Sequence, residues 1–117
     1  MSIRPARVAQ LIKHEISEAL TTRIETTGYG LLTVTEVIVT PDLRLAKIYV
    51  SHFRSEKSNA QILEFLEANA KEIRMGVGKA VRLKFTPELR FYIDETLEKV
   101  ERIEELIRQI HEDEQGR

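Results

Sequence analysis

Apolar residues recur along this chain with two different periods, and each change of period marks a new element. Val8, Leu11, Ile12, Ile16, Ala19 and Leu20 fall on one helical stripe, with Arg7, Gln10, Lys13, His14 and Ser17 opposite. Residues 5–22 are therefore predicted to be a helix, with Pro5 in the first turn, where a missing N–H is harmless. Glu15 lies inside the apolar arc, which predicts an ion pair or hydrogen bond at the edge of a core. The stretch RIETTGYG at 23–30 reads as a loop. Residues 31–40, rich in Val, Ile and Thr, read as a strand. Thr40-Pro41-Asp42-Leu43 has turn chemistry. In the next strand, 44–53, Ala46, Ile48 and Val50 face one way and Lys47, Tyr49 and Ser51 the other. So short a link favours an antiparallel hairpin.

The period returns to helical after the polar linker at 52–57. Ser58 with Gln61 forms a capping-box signature. Ile62, Leu66, Asn69, Ile73, Val77 and Ala80 then keep one face as far as Lys84, and Phe65, Leu63, Ala70 and Val81 widen it. Three features predict a bend in this stretch. Asn69 is polar in the middle of the apolar face. Gly76 and Gly78 each weaken a helix by about 1 kcal/mol. The outward charge changes from Glu64 and Glu67 to Lys71, Arg74, Lys79 and Arg82. Two helices joined at Ala68-Asn69-Ala70 are expected. Pro87 disfavours helix at Thr86. Leu89, Phe91 and Ile93 then alternate with Arg90, Tyr92 and Asp94 as a third strand. Asp94 can cap a last helix with a stripe of Leu97, Val100, Ile103, Leu106, Ile107 and Ile110.

A crossover of two helices between the second and third strands makes those strands parallel. The expected fold class is α+β: a type II KH-like order, α-β-β-α-kink-α-β, with an added C-terminal helix and helices covering one face of the sheet. One domain spanning 1–117 is expected, with 1–4 and 113–117 flexible.

Charge adds a hint about partners. The net charge is −1, but it is unevenly placed. Residues 94–117 carry nine acids and four bases, and residues 1–93 carry 14 bases and 10 acids. An acidic end masks a basic body, which points towards a polyanion. Lys71, Arg74, Lys79 and Arg82 share the outward side of the second helix of the pair, and Lys84 follows. Cations so placed suit phosphates and give salt-dependent affinity without base reading. Arg4, Arg7 and Lys13 would extend the patch. Charge alone does not separate this from a solvated helix face. Tyr49, Tyr92, Lys47 and Arg90 would line the open sheet face, where cross-strand pairing is favoured over stacking on bases.

Little in the sequence speaks for catalysis. His14, His52 and His111 are scattered, no Ser sits in a nucleophile elbow, and Cys is absent. Gly76-Val77-Gly78-Lys79 lies inside a helical pattern and lacks the hydroxyl of a phosphate loop, so it reads as small-residue packing. No cofactor, metal or small-molecule substrate is expected. Neither a signal peptide nor a membrane-spanning run is read, so a cytoplasmic protein is expected. The chain has no GxxG, the loop with which RNA-binding KH domains clamp a single strand. Recognition of a folded RNA by its backbone is therefore the expected mode.

RVAQLIKHEISEAL (7–20), VTEVIVTPDLRLAKIYVS (34–51), IRMGVGKAVRLKFTPELRFYID (73–94) and RIEELI (102–107) together resemble bacterial ribosome-binding factor A. The resemblance covers about Arg7 to Ile107. It implies a KH-like fold whose inter-helix kink carries Ala-x-Gly in place of GxxG. It also implies a non-catalytic assembly factor that binds free 30S subunits, helps mature the 5′ end of 16S rRNA and supports growth in the cold. Ala70 stands where the family commonly has Gly, so the bend is expected to be shallower or to lean on Asn69. The candidate rRNA contacts are Arg4, Arg7, Lys13, Lys71, Arg74, Lys79, Arg82 and Lys84, chosen by position and charge, in a chain expected to be a monomer. The alternative is a protein–protein adaptor docking through its acidic last helix.

Overall fold

A computed structural model describes the backbone of residues 4–115 and all of their side chains except those of 97–99, 101 and 113–115. The flexibility expected at 1–3 and 116–117 concerns residues outside that range. In chain order the elements are α1 (Pro5–Glu18), a π-helical turn (Ala19–Arg23), β1 (Leu31–Val39), β2 (Leu45–Phe53), α2 (Asn59–Ala68), α3 (Ala70–Ala80), β3 (Glu88–Ile93) and α4 (Thr96–Gln115). The sheet order is β1-β2-β3, with β1 antiparallel and β3 parallel to β2. This is the type II KH-like arrangement with α4 appended, as the alternating periods predict.

One face of the sheet is the core. Ala46, Ile48 and Val50 of β2 are fully buried between Leu32, Val34, Val37 and Val39 of β1 and Leu89 and Phe91 of β3. Val8, Ile12 and Ile16 of α1, Ile62 and Leu66 of α2, and Ile73 and Val77 of α3 close over them. Each buried Val, Leu, Ile or Phe side chain among them contributes roughly 1.5–3 kcal/mol by leaving water. Val34 and Val37 are three apart, so strict alternation would put them on opposite faces. A bulge at Thr35, between the Val34↔Val50 and Glu36↔Tyr49 pairs, restores the phase.

The bulge also frees Thr35 to tie the sheet edge to the start of α4. Its hydroxyl donates to Asp94 Oδ2 at 2.6 Å, and the Thr96 N–H donates to Asp94 Oδ1 at 3.0 Å. The hydrogen bond from Thr35, followed by those from Thr96, holds the Asp94 carboxyl below its ordinary value. Folding therefore favours the ionised form. That stabilisation is complete above the unfolded value of about 4 and fades as pH falls through the lower folded one. An Asp94→Asn variant is expected to melt below the wild type at pH 7, with the gap closing below about pH 4. Thermal melts across pH 2–7 would show it. Parallel curves would mean that Asp94 contributes nothing through its charge.

The first helix departs from the expectation of regular α-helix to residue 22. Thr21 and Thr22 donate their hydroxyls to the carbonyls of Ser17 and Glu18. Such back-bonding competes with the helix ladder. The backbone widens, and the Ile24 N–H reaches the Ala19 carbonyl at 2.9 Å. Arg23 then pairs with Glu15, whose side chain is only 12% exposed. This is the partner that an acid inside the apolar arc requires.

The kink falls at Asn69 alone. Its backbone (φ −99°, ψ 2°) ends α2 and begins α3, and its Nδ2 donates to the Phe65 carbonyl at 2.9 Å. Ser58 and Gln61 make the expected reciprocal cap at the start of α2. Among the described residues, positive φ outside glycine occurs only at Leu43 and Arg54. Ala70 is thus ordinary helix, and the absence of Gly there creates no strain.

α4 leaves the body and gives the molecule its long dimension, 66 Å against 31 and 21 Å. Its helix runs on through 113–115, where fraying is expected from the sequence. Val100, Ile103, Leu106, Ile107 and Ile110 are between 44% and 57% exposed. The apolar stripe therefore faces solvent. Among the described residues, no helix is long and apolar enough to cross a membrane.

Candidate nucleic-acid interface

The basic end of the crossover folds differently from the continuous helix to Lys84 that its periodicity predicts. α3 stops at Ala80. Val81 turns extended (φ −109°, ψ 100°) and buries its side chain. The Leu83 N–H bonds the Val81 carbonyl at 2.9 Å, a three-residue turn centred on Arg82. The chain then runs back along the outward side of α3 to reach β3. Arg82 and Lys84 thus leave the helix. Arg82 sits at the tip of the turn, and Lys84 lies on the returning strand of chain.

Two residues of α3 hold this return. Arg74 donates from Nη2 to the Thr86 carbonyl at 3.0 Å and from Nε to the Pro87 carbonyl at 3.3 Å. Gly78 leaves the room: a Cβ there would come within 2.9 Å of Thr86 Oγ1. Gly76, on the same helix, faces the Glu15–Arg23 pair, where a Cβ would lie 3.2 Å from Glu15 Oε1. Both glycines serve packing, as their place in a helical pattern predicts.

Between α3 and the returning chain lies an open groove of about 980 Å³. Lys71, Arg74 and Lys79 line one side and Lys84 the other, over Met75, Gly78, Phe85, Thr86 and Leu89. Glu88 is the one carboxylate on its walls, and it lies 3.8 Å from Arg90. Among the described residues, no carboxylate pairs with Lys71, Arg74, Lys79, Arg82 or Lys84. Arg74 spends two of its donors on carbonyls, and neither is a carboxylate. Four cations therefore converge on one concave surface. Arg82 is exposed but outside the groove, and Arg4, Arg7 and Lys13 are exposed on or beside α1, also outside it.

Sequence reasoning missed the aromatic of this site. Phe85 is 67% exposed and Met75 56%. Phe85 falls between the helical stripe predicted to end at Lys84 and the strand that follows Pro87, so neither period assigns it a face, and the early end of α3 leaves it outside. On the open sheet face, Tyr49 and Tyr92 stand opposite each other and stack at 5.3 Å between ring centres. They pair across strands, as expected. Among the described residues, no group of His, Asp and Glu could hold a metal ion.

Comparison with known proteins agrees with this architecture. A crystal structure of ribosome-binding factor A from Thermus thermophilus superposes with a TM-score of 0.67 at 23% identity, covering 78% of this chain and 97% of that one, which supports the fold. A homology model of the Thermus factor, fitted into a cryo-electron microscopy map of its complex with the 30S subunit, gives 0.66 at 26% identity, covering 79% and 96%. Ribosome-binding factor A of Chlorobaculum parvum is 41% identical over 112 residues, covering 94% of this chain and 92% of the relative. That of Halothermothrix orenii is 37% identical over 113 residues, covering 97% and 93%. The family model for ribosome-binding factor A matches residues 4–107, from the cap of α1 through the groove and into α4, and the chain belongs to that family.

Proposed function

We propose that this chain binds the free 30S ribosomal subunit, with the α3 groove against the phosphates of 16S rRNA, and assists maturation of the rRNA 5′ end without catalysing a reaction. The observation that carries the reading is the convergence of Lys71, Arg74, Lys79 and Lys84 on one groove with a single carboxylate. Arg82, Arg4, Arg7 and Lys13 are outlying contacts that steer the approach to the RNA. The factor acts as a monomer in the cytoplasm. By binding one conformation of an immature rRNA junction more tightly than another, it shifts the RNA towards that conformation. Relatives named ribosome-binding factor A, and a relative fitted in a 30S complex, support the 30S-binding part of this reading.

Sedimentation through a sucrose gradient tests it. The protein is expected to travel with 30S particles at low salt and to fall away as salt rises, because bound phosphates release counterions. Failure to co-migrate at low salt would sink the reading. A second reading, an adaptor docking on protein through α4, is favoured by the solvent-facing stripe of Val100, Ile103 and Ile107. It requires that removing groove charge leave 30S association intact.

A further inference from the structure

The groove pairs its cations with an apolar surface that phosphate binding does not need. Phosphates ask for donors and positive charge. Yet Phe85 and Met75 are exposed on the walls of the same cavity as Lys71, Lys79 and Lys84. Single exposed apolar residues are ordinary, but an aromatic ring and a methionine set among four cations in one concave groove make a combined apolar and cationic surface of the kind ligand sites use. Here the ring is presented by a segment that is firmly held: Arg74 ties down Thr86 and Pro87 immediately after it, and Pro87 is itself buried. Lys84 Nζ lies over the Phe85 ring, 5.6 Å from its centre, a cation–π contact that a stacking base would share or replace. A cation and a flat apolar face thus sit within one nucleotide's reach of each other.

We infer that the groove takes in a single unstacked nucleotide of the bound RNA, its base lying on the Phe85 ring with Met75 beside it and its phosphates against Lys84, Lys79 and Lys71. The inference rests on the rRNA-binding reading above and adds to it a base held out of its stack. A cavity of this size suits a ligand of nucleotide dimensions. Every base has a π-face, so the contact is tolerant of sequence and needs no GxxG loop. It selects RNA by structure: a bulge, junction or chain end can offer an unstacked base, and a continuous duplex cannot without breaking a pair. An immature junction would be bound for that reason, and a fully paired one released.

Binding of 30S subunits by wild type, Phe85→Ala, Phe85→Leu, Phe85→Trp and Lys79→Ala proteins over a range of salt tests this. Phe85→Ala is expected to weaken binding about tenfold or more, with the slope of log affinity against log salt unchanged. Phe85→Trp should restore affinity, Phe85→Leu should not, and Lys79→Ala should lower the slope by about one. A photoreactive phenylalanine analogue at position 85 should cross-link to rRNA. Cross-linking to a ribosomal protein, Phe85→Ala binding within twofold of wild type, or Phe85→Leu matching Phe85→Trp would each overturn the inference while leaving 30S binding in place. Loss of binding by the wild type itself would remove the underlying function reading. The ring is largely solvent-exposed, so circular dichroism melts of the variants should overlay.

Discussion

A Lys71→Glu/Lys79→Glu double variant is expected to lose affinity for 30S subunits by on the order of 100-fold at low salt, and to show a flatter salt dependence. Both side chains project from the outward side of α3 into the groove and are exposed. Neither takes part in an ion pair among the described residues, so stability should stay within about 0.5 kcal/mol of wild type. Arg74 is the wrong residue for this experiment. Its reversal would remove the bonds that hold the chain at Thr86 and Pro87 and confound charge with collapse of the groove wall. Arg82→Glu serves as the control matched in charge to either single reversal, Lys71→Glu or Lys79→Glu. It removes the same kind of charge from the tip of the turn, outside the groove, and should cost much less. Equal losses for Arg82→Glu and for the Lys71 and Lys79 reversals would mean that the whole basic body is read as a diffuse field. Unchanged 30S binding by the double variant would shift the function to α4.

The largest effect on stability is expected at Gly30. A Gly30→Ala variant should lose about 3–5 kcal/mol. The residue has φ +72°, a conformation costing a side-chain-bearing residue roughly 1–2 kcal/mol on its own. A Cβ there would also overlap the Phe53 carbonyl oxygen and lie 2.8 Å from the Ser55 nitrogen and 2.9 Å from the Arg54 carbonyl carbon. All three are backbone atoms, so no rotamer change relieves the overlap. The chain entering β1 would have to part from the chain leaving β2, at the Leu31↔Phe53 end of the hairpin. Gly28 supplies the comparison. Its φ is +91°, but the nearest atom to an added Cβ is Lys57 Cε at 4.0 Å. Gly28→Ala should cost only the conformational part, about 1–2 kcal/mol. Urea denaturation of the two variants measures the difference. Equal costs would show that the close approach at Gly30 is absent in solution.

The sequence and the structure divide the candidate site between them. The cations Lys71, Arg74 and Lys79 were legible because helical spacing places them on one side whatever the tertiary context. The groove was not. Periodicity carried the helix through to Lys84, since Val81 and the charged residues around it suit that pattern as well as any other. The helix ends at Ala80 because Val81 is drawn into the core and the chain must return to pair β3 with β2. Both causes involve residues remote in sequence. The same holds for Arg74, whose partners lie 12 and 13 residues on, and for Thr35, whose bond to Asp94 spans 59 residues. Phe85 and its exposure follow from that return path.

By itself the sequence determined the order of elements, the parallel crossover, the Ser58 cap and a break within Ala68-Asn69-Ala70. Each of these follows from interactions within a few residues: side-chain period, capping geometry, and a polar residue in the middle of an apolar stripe. Only the tertiary structure decided that four of the eight candidate cations share a groove, that one of the four braces its wall, and that an aromatic ring faces into it. Those outcomes depend on where the chain turns back, and the burial of Val81 and the contacts across the fold set that point.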